Sequence, residues 1–236
     1  MERIRGWLAR ASSIAALTGA GISAESGIPT FRGAGGLWRE YRAEDLATPQ
    51  AFARDPKLVW QWYDWRRGVI ARAEPNAGHR ALAELERRAA EFTLITQNVD
   101  GLHDRAGSRR VLKIHGDIWT LRCIACGRER EDRRTGFSEL PPRCECGGIE
   151  RPGVVWFGEG LPRDVWSRAE QAASRAEVFL VIGTSAVVYP AAGLVDVAKS
   201  VGAKVIEINV AETPATEAAD VSLRGAAAEI LPQLIA

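Results

Sequence analysis

Polar side chains that could bind a sugar and move a proton follow two predicted strands in the middle of the chain. Gln97, Asn98 and Asp100 come directly after one strand, and His115 follows the next. In open α/β sheets, ligands bind at the carboxyl ends of the strands. Imidazole titrates near neutral pH, so His115 can act as a base toward a hydroxyl group. The pattern predicts a polar site here, with turn capping by residues 97–100 as the structural alternative.

A glycine loop stands far upstream of these residues. Gly19, Gly21 and Ala24 fit the G-x-G-x-x-G/A pattern directly after a strand predicted over 13–18. Glycines at this spacing let the backbone approach a pyrophosphate, and the following helix N-terminus favours its charge. However, Pro29 interrupts that helix early, and no second strand with a ribose-binding acid follows about 20 residues on. The loop therefore predicts dinucleotide binding and disfavours hydride transfer, with a plain strand-to-helix turn as the alternative.

Four cysteines form a pattern typical of zinc sites. Cys123 and Cys126 form a C-x-x-C pair, and 17 residues separate them from Cys144 and Cys146. This interval lies in the range of zinc ribbons, although the second pair is one residue shorter than usual. Four thiolates leave no open coordination position, so the predicted ion is structural. Free thiols are the alternative.

A tyrosine and an arginine in a predicted helix could recognise an acidic group. Tyr63 and Arg66 stand three residues apart, so both side chains lie on one helix face. A guanidinium can bind a carboxylate through two parallel N–H bonds, with the phenol as a further donor. The neighbouring Arg67 is expected to point elsewhere. The structural alternative is that the arginine is exposed to solvent and the tyrosine only packs in the core.

The elements that must position these residues alternate between buried strands and helices. This rhythm predicts an α/β fold, a doubly wound parallel Rossmann-like sheet. Strands are predicted over 13–18, 92–96, 111–114, 178–183 and 204–210. Helices are expected after an N-cap at Asn76 and over 190–201. The sheet domain comprises 1–33, 71–115 and 153–236, and a smaller lobe combines a helical insert (34–70, no strand expected) with a zinc-binding insert (116–152).

Bulk composition excludes several classes of protein. The formal net charge of +1 creates no field that would attract nucleic acid, and the charged run over 128–134 is predicted to be a solvated face. No stretch approaches the roughly 18 apolar residues of a membrane span. The absence of a signal peptide and the metal-type cysteines predict a reduced, cytoplasmic protein. Of the other histidines, His103 is expected to be structural and His79 to lie on the surface.

The runs 19–32, 97–103 and 114–116, followed by the four cysteines, resemble the sirtuins, the NAD-consuming protein deacylases. The resemblance extends over about 12–232, nearly the whole chain. It implies NAD as a co-substrate, a structural zinc ion and acylated protein lysines as substrates. We expect no membrane partner and no specific nucleic-acid partner. We expect a monomer, although the sequence does not determine the oligomeric state.

The resemblance also implies roles for individual residues. His115 would be the catalytic base, acting with Asn98. The NAD-binding residues would be Gly19, Ala20, Gly21, Ala24, Phe31, Arg32, Gln97, Asn98, Asp100, Gly183, Thr184, Ser185, Asn209 and Ala227. The residues that bind the acyl-lysine would be Ala47, Tyr63, Arg66, Val154 and Trp156.

The tyrosine–arginine pair is similar to that of the class III sirtuins, where Ala47 would be the small residue that widens the pocket. The sequence therefore predicts removal of succinyl and malonyl groups, and more weakly acetyl, with nicotinamide and O-acyl-ADP-ribose as products. A plain deacetylase and a mono-ADP-ribosyltransferase remain alternatives. A zinc-ribbon nucleic-acid binder is disfavoured by the balanced charge.

Overall fold

A computed structural model describes residues 1–30, 37–38 and 41–235 of the chain. Phe31 and Arg32, two of the predicted NAD-binding residues, lie outside the described residues. Among the described residues, no helix has the length and apolar character needed to cross a membrane.

A six-stranded parallel sheet carries most of the candidate site. Its spatial order is β11-β10-β9-β1-β4-β5. The strands are β1 (Ser13–Thr18), β4 (Glu91–Thr96), β5 (Val111–Lys113), β9 (Val178–Ile182), β10 (Lys204–Asn209) and β11 (Val221–Arg224). The first five match the predicted strands closely, because each contains a short apolar run, and the runs in β1 and β9 are buried on both faces of the sheet. β11 was not predicted, because its residues are only half-buried or exposed.

Helices cover both faces of this sheet, as a doubly wound fold requires. They are α1 (Glu2–Arg10), α2 (Gly21–Ala24), α6 (Ala77–Arg88), α7 (Leu102–Arg105), α8 (Arg163–Arg175), α9 (Gly193–Ser200), α10 (Ala215–Ala218) and α11 (Ala227–Ile235). Leu82 of α6 and Leu231 of α11 pack into one core, while Ala169 of α8 and Leu194 of α9 pack into another. The predicted fold class is confirmed. The helix predicted over 190–201 begins three residues later than expected.

The smaller lobe combines helices with a three-stranded antiparallel sheet. The helical part contains β2 (Leu37–Trp38), β3 (Tyr41–Arg42), α3 (Ala43–Leu46), α4 (Pro49–Arg54) and α5 (Pro56–Arg72). The second sheet consists of β6 (Gly116–Cys123), β7 (Glu129–Glu131) and β8 (Glu150–Val154), in the order β7-β6-β8. The expectation of no strand over 34–70 was wrong, because β2 and β3 pair as a hairpin too short to produce an alternating pattern.

A buried ion pair joins the two parts of this lobe. Arg67 of α5 is fully buried, and its Nη2 lies 3.8 Å from Oδ1 of Asp132. Its guanidinium centre lies 5.0 Å from the centroid of the Trp119 ring. Arg67 therefore points toward Asp132 and Trp119, so the prediction that it points elsewhere than Arg66 is confirmed. The prediction that 128–134 is simply a solvated face was wrong for Asp132, which also accepts hydrogen bonds from Arg130 and Arg134.

Candidate active site

Two glycine-containing loops pack against each other at the carboxyl end of the large sheet. A Cβ atom on Gly19 or Gly21 would lie 2.8 or 2.7 Å from the Gly183 carbonyl oxygen, closer than real side chains approach. Gly183 itself has a φ of +57°. Besides the predicted approach to a pyrophosphate, these glycines have a second role, because any side chain on them would prevent contact between the loops after β1 and β9.

The amides that follow β4 bind these loops. Gln97 donates through Nε2 to the Thr184 hydroxyl at 2.8 Å. Asn98 donates through Nδ2 to the Gly19 carbonyl oxygen at 3.0 Å. On the far side, Asn209 donates to the Thr184 backbone carbonyl at 2.8 Å. The predicted residues of three strand ends thus form one connected polar edge.

Asp100 is buried beneath this edge within a network of polar side chains. Its Oδ2 accepts from the Ser23 hydroxyl at 2.8 Å, and its Oδ1 accepts from the Leu102 N–H. Burial raises the pKa of Asp100, although these hydrogen bonds oppose that effect. Ser23 also lies within 3.4 Å of His79 Nε2. Ser23 was not among the predicted site residues, although it stands within the glycine run.

The prediction that His79 lies on the surface was wrong. Its side chain is fully buried, and its ring centroid lies 4.9 Å from that of His103. His79 Nδ1 accepts from the Asn76 backbone N–H, which closes a capping box at the start of α6. Burial lowers the pKa of His79 to about 4, so the imidazole is neutral near pH 7. His103 is buried and bonded to Thr18, in agreement with the expected structural role.

His115 lies half-buried after β5, with a hydrogen bond that fixes its tautomer. Its Nδ1 is 3.1 Å from the Gln97 backbone carbonyl oxygen. A carbonyl can only accept, so Nδ1 carries the proton and the Nε2 lone pair is left to accept one. Burial lowers the pKa of His115, against the opposing effect of this carbonyl. A neutral imidazole with an available Nε2 is the form required of a general base.

The remaining predicted NAD-binding residues differ in exposure. Ala20 and Gly183 are half-buried, whereas Ala24 and Ser185 are exposed beside the two loops. Ala227 is 5% exposed and begins α11, where its carbonyl lies against Gly78 of α6. The structure therefore places Ala227 in the apolar core, beside the start of α6.

Four of the predicted acyl-lysine residues lie in one apolar cluster between the lobes. Ala47, Tyr63, Val154 and Trp156 are each at most 7% exposed. Trp156 Nε1 donates to the Tyr63 hydroxyl at 2.9 Å. The Phe157 N–H donates to the Ala47 carbonyl oxygen at 2.9 Å, which joins the segment after β8 to the segment before α4.

Arg66 lies beside this cluster and near the polar edge. The residue is half-buried, and its guanidinium interacts electrostatically with Tyr63 and Asp100. Burial lowers the pKa of Arg66, while the same burial raises the pKa of Tyr63 far above its ordinary value. Both groups therefore remain hydrogen-bond donors near neutral pH. Arg66 also lines a small pocket with Ile28, Pro29, Trp65, Val69 and Ile70.

The four cysteines meet at the far end of the small sheet. Their Sγ atoms all lie within 4.8 Å of one another. Cys123 and Cys146 are 3.5 Å apart, and Cys126 and Cys144 are 3.8 Å apart. Tetrahedral coordination with Zn–S bonds of about 2.3 Å places sulfurs about 3.8 Å apart. The donor set and its spacing fit a zinc ion, and the short Cys144–Cys146 spacing is accommodated.

Several known proteins are similar to this chain over most of its length. The Sir2 family profile matches residues 19–190. An NAD-dependent protein deacylase of Aquifex aeolicus is 60% identical over 213 residues, covering 90% of this chain and 89% of the relative. The crystal structure of a Sir2 homologue in complex with NAD is 52% identical, with a TM-score of 0.96 over 100% of this chain and 92% of that one.

A more distant structure, a Sir2 mutant in complex with a p53 peptide and NAD, is 31% identical. It superposes with a TM-score of 0.89 over 100% of this chain and 97% of that chain. These similarities span the whole described sheet and both loops of the site. The sirtuin prediction is thereby confirmed, and the chain belongs to the Sir2 family.

Proposed function

We propose that this protein is an NAD-dependent protein-lysine deacylase that prefers succinyl and malonyl groups to acetyl. The general activity, NAD-dependent protein deacylation, is that of the relatives named for it. The preference for acidic acyl groups goes beyond the names of these relatives, which do not specify an acyl group. The neighbouring side chains of buried Tyr63 and half-buried Arg66 support it.

NAD supplies the ribose carbon to which the acyl oxygen becomes attached, with nicotinamide as the leaving group. We assign Asn98 and Asp100 to the nicotinamide and the adjacent ribose. Gly19 and Gly21 would allow the pyrophosphate to approach the loop backbone. Thr184 and Asn209 would hold the adenosine side. In this assignment, NAD would lie along the polar edge with its nicotinamide near buried Asp100 and its adenosine near the ends of β9 and β10.

His115 has the geometry of the proton acceptor. Its Nδ1 is held by the Gln97 carbonyl oxygen, which leaves Nε2 to take a proton from a ribose hydroxyl. A positioned general base contributes about 10²–10⁴-fold to a rate. The remaining acceleration would come from holding the acyl oxygen and the ribose carbon in reactive orientation.

The acylated peptide would bind along β8, which is an edge strand of the small sheet. An extended segment can add to such an edge through backbone hydrogen bonds. Val154 and Trp156 would then flank the aliphatic stem of the lysine. This arrangement places the acyl group toward Tyr63 and Arg66, between the two lobes.

The guanidinium beside Tyr63 is the observation on which the acyl preference depends. Arg66 is half-buried, where a charge-assisted hydrogen bond is weakened less by water than it would be on an open surface. A succinyl or malonyl carboxylate can accept two N–H bonds from the guanidinium and one O–H bond from Tyr63. An acetyl group offers neither charge nor acceptor at that point. Acidic acyl groups should therefore bind more tightly than acetyl.

The test is mass spectrometry of one lysine peptide in acetyl, malonyl and succinyl forms, with and without NAD. We expect NAD-dependent loss of the two acidic groups, slower loss of acetyl, and formation of O-acyl-ADP-ribose. Loss of acetyl alone would retain NAD-dependent deacylation and reject the acyl preference. If no acyl group is lost but protein becomes labelled from NAD, the activity is ADP-ribosyl transfer.

A further inference from the structure

Two charged side chains outside the proposed acyl-binding pair fix the position of Trp156. Nη1 and Nη2 of Arg151 donate to the two carboxylate oxygens of Glu159 at 2.6 and 2.9 Å. The Arg151 guanidinium centre stacks 3.3 Å from the centroid of the Trp156 ring. Glu159 also accepts from the Trp156 backbone N–H at 2.8 Å. We call Arg151 and Glu159 the Trp156 brace, because they hold both the backbone and the ring of that residue.

The brace is more than an exposed surface ion pair. The side chain of Arg151 is only 13% exposed and that of Glu159 is 28% exposed. Bidentate guanidinium–carboxylate pairs are directional, and partial burial strengthens them relative to pairs in bulk water. Burial raises the pKa of Glu159, but the bonds from Arg151 and Trp156 lower it more, so the pKa lies below its usual range. The carboxylate is therefore ionised under assay conditions.

Trp156 transmits this constraint to the Tyr63 hydroxyl. The indole N–H can only donate, so the Tyr63 oxygen is the acceptor of their 2.9 Å hydrogen bond. Because the indole N–H occupies one lone pair of the Tyr63 oxygen, the phenolic proton is directed away from Trp156. Burial keeps the phenol protonated by raising its pKa. The direction of the proton thus depends on the position of the indole ring.

We propose that Arg151 and Glu159 are positioning residues for acyl selectivity, because they fix the indole that directs the Tyr63 proton into the acyl pocket. This inference rests on the proposed function, in which that proton is donated to the carboxylate of an acidic acyl group. An acetyl group presents no acceptor there. Because Trp156 would also flank the lysine stem of every acyl peptide, deacetylation should fall slightly, whereas desuccinylation and demalonylation should fall more.

The first test is Arg151→Met, which keeps an aliphatic chain beside the Trp156 ring and removes the guanidinium. We expect kcat/KM for a succinyl peptide to fall about tenfold, mainly through KM, because part of a charged hydrogen bond is lost. The value for the acetyl peptide should change by less than about twofold. Arg87→Met is the matched control, since Arg87 pairs with Glu84 on an exposed face of α6.

A second variant and a spectroscopic measurement guard against misfolding. Glu159→Gln keeps the side-chain volume and one oxygen for the Trp156 N–H, and weakens only the pairing with Arg151. We expect a smaller loss in the same direction. The indole N–H resonance of Trp156, assigned by its absence in Trp156→Phe, should shift in both brace variants, while thermal unfolding of Glu159→Gln stays near that of the unmodified protein.

The outcomes separate this inference from the proposed function. A preference for succinyl that persists unchanged in both brace variants would overturn the brace alone. Equal losses on succinyl and acetyl peptides would also overturn it, because the pair would then be merely structural. If the unmodified protein shows no preference for acidic acyl groups, the proposed function fails and the inference fails with it.

Discussion

The polar edge around His115 and the acyl pocket around Tyr63 are built in different ways. The edge consists of side chains that follow neighbouring strands and bond to one another or to backbone, as Gln97 bonds to Thr184 and Asn98 to Gly19. The proposed acyl pocket consists of large apolar side chains, with the Tyr63 hydroxyl among them and the guanidinium groups of Arg66 and Arg151 beside them. In the proposed function, the chemistry would therefore depend on groups at the end of the sheet, whereas selection would depend on a few groups that single substitutions can remove.

The two regions meet at Asp100. Trp119 donates through Nε1 to the Asp100 backbone carbonyl at 2.9 Å, and Arg66 interacts with the Asp100 carboxylate. Asp100 is therefore the point at which a change in the pocket could reach the polar edge. Variants of each region can test whether catalysis and acyl selectivity change independently.

Replacement of His115 by alanine should have the largest effect. We expect turnover of acetyl and succinyl peptides to fall equally, by about 10²–10⁴-fold, because the general base is lost. The fold should be retained, since His115 is only half-buried and its side-chain hydrogen bond is to one carbonyl. Nicotinamide release measures the turnover, and thermal unfolding checks the fold. Turnover within a few fold of the unmodified protein would reject His115 as the base.

Asp132→Asn tests whether the smaller lobe can be weakened without changing the edge. The substitution removes the anion beside fully buried Arg67, and breaking a buried pair in this way costs about 3–5 kcal/mol. Urea unfolding measures the loss. The matched control is Glu131→Gln, because Glu131 is exposed and pairs with Arg133, whose side chain is also exposed. Its effect should stay within about 0.5 kcal/mol. Equal effects of the two variants would mean that Arg67 does not depend on Asp132.

Much of the sheet and of its edge could be predicted because the signals are local. Each of the five predicted strands is a short apolar run, and Gln97, Asn98 and His115 stand directly after such runs. The cysteine spacing indicates a metal site for the same reason. These features depend on residues near one another in the chain, which is the range over which sequence patterns carry information.

The features that were missed depend on contacts between distant residues. His79 is polar and close to a helix N-terminus, so its burial becomes visible only when Ser23 and His103 are seen beside it. Nothing local indicates that Asp132 lies within 3.8 Å of Arg67. The same holds for the Trp156–Tyr63 hydrogen bond, whose partners are 93 residues apart. The pocket is built mostly from such contacts, and its details were therefore less predictable than those of the edge.

Arg66→Met should separate selection from chemistry. A hydrogen bond to a charged group contributes about 1.5–3 kcal/mol, so kcat/KM for a succinyl peptide should fall about 10- to 100-fold. Deacetylation should be spared, because an acetyl group does not use the guanidinium. Arg72→Met is the matched control, since Arg72 is exposed at the end of the same helix. An equal loss on both peptides would indicate that Arg66 supports the edge through Asp100 and does not select the acyl group.

The pH dependence should be the smallest effect, and it should be the same for both acyl groups. Burial lowers the pKa of His115 below its ordinary value of 6.5. Because the base acts in its neutral form, kcat/KM should fall as pH decreases through a midpoint below 6.5. His79, with a pKa of about 4, and His103, with a pKa held well below 6.5 by burial, should contribute little near that midpoint. The measurement is kcat/KM for acetyl and succinyl peptides from about pH 5 to about pH 8. A midpoint above 6.5 would contradict the buried, neutral base, and midpoints that differ between the peptides would mean that the pocket and the edge titrate together.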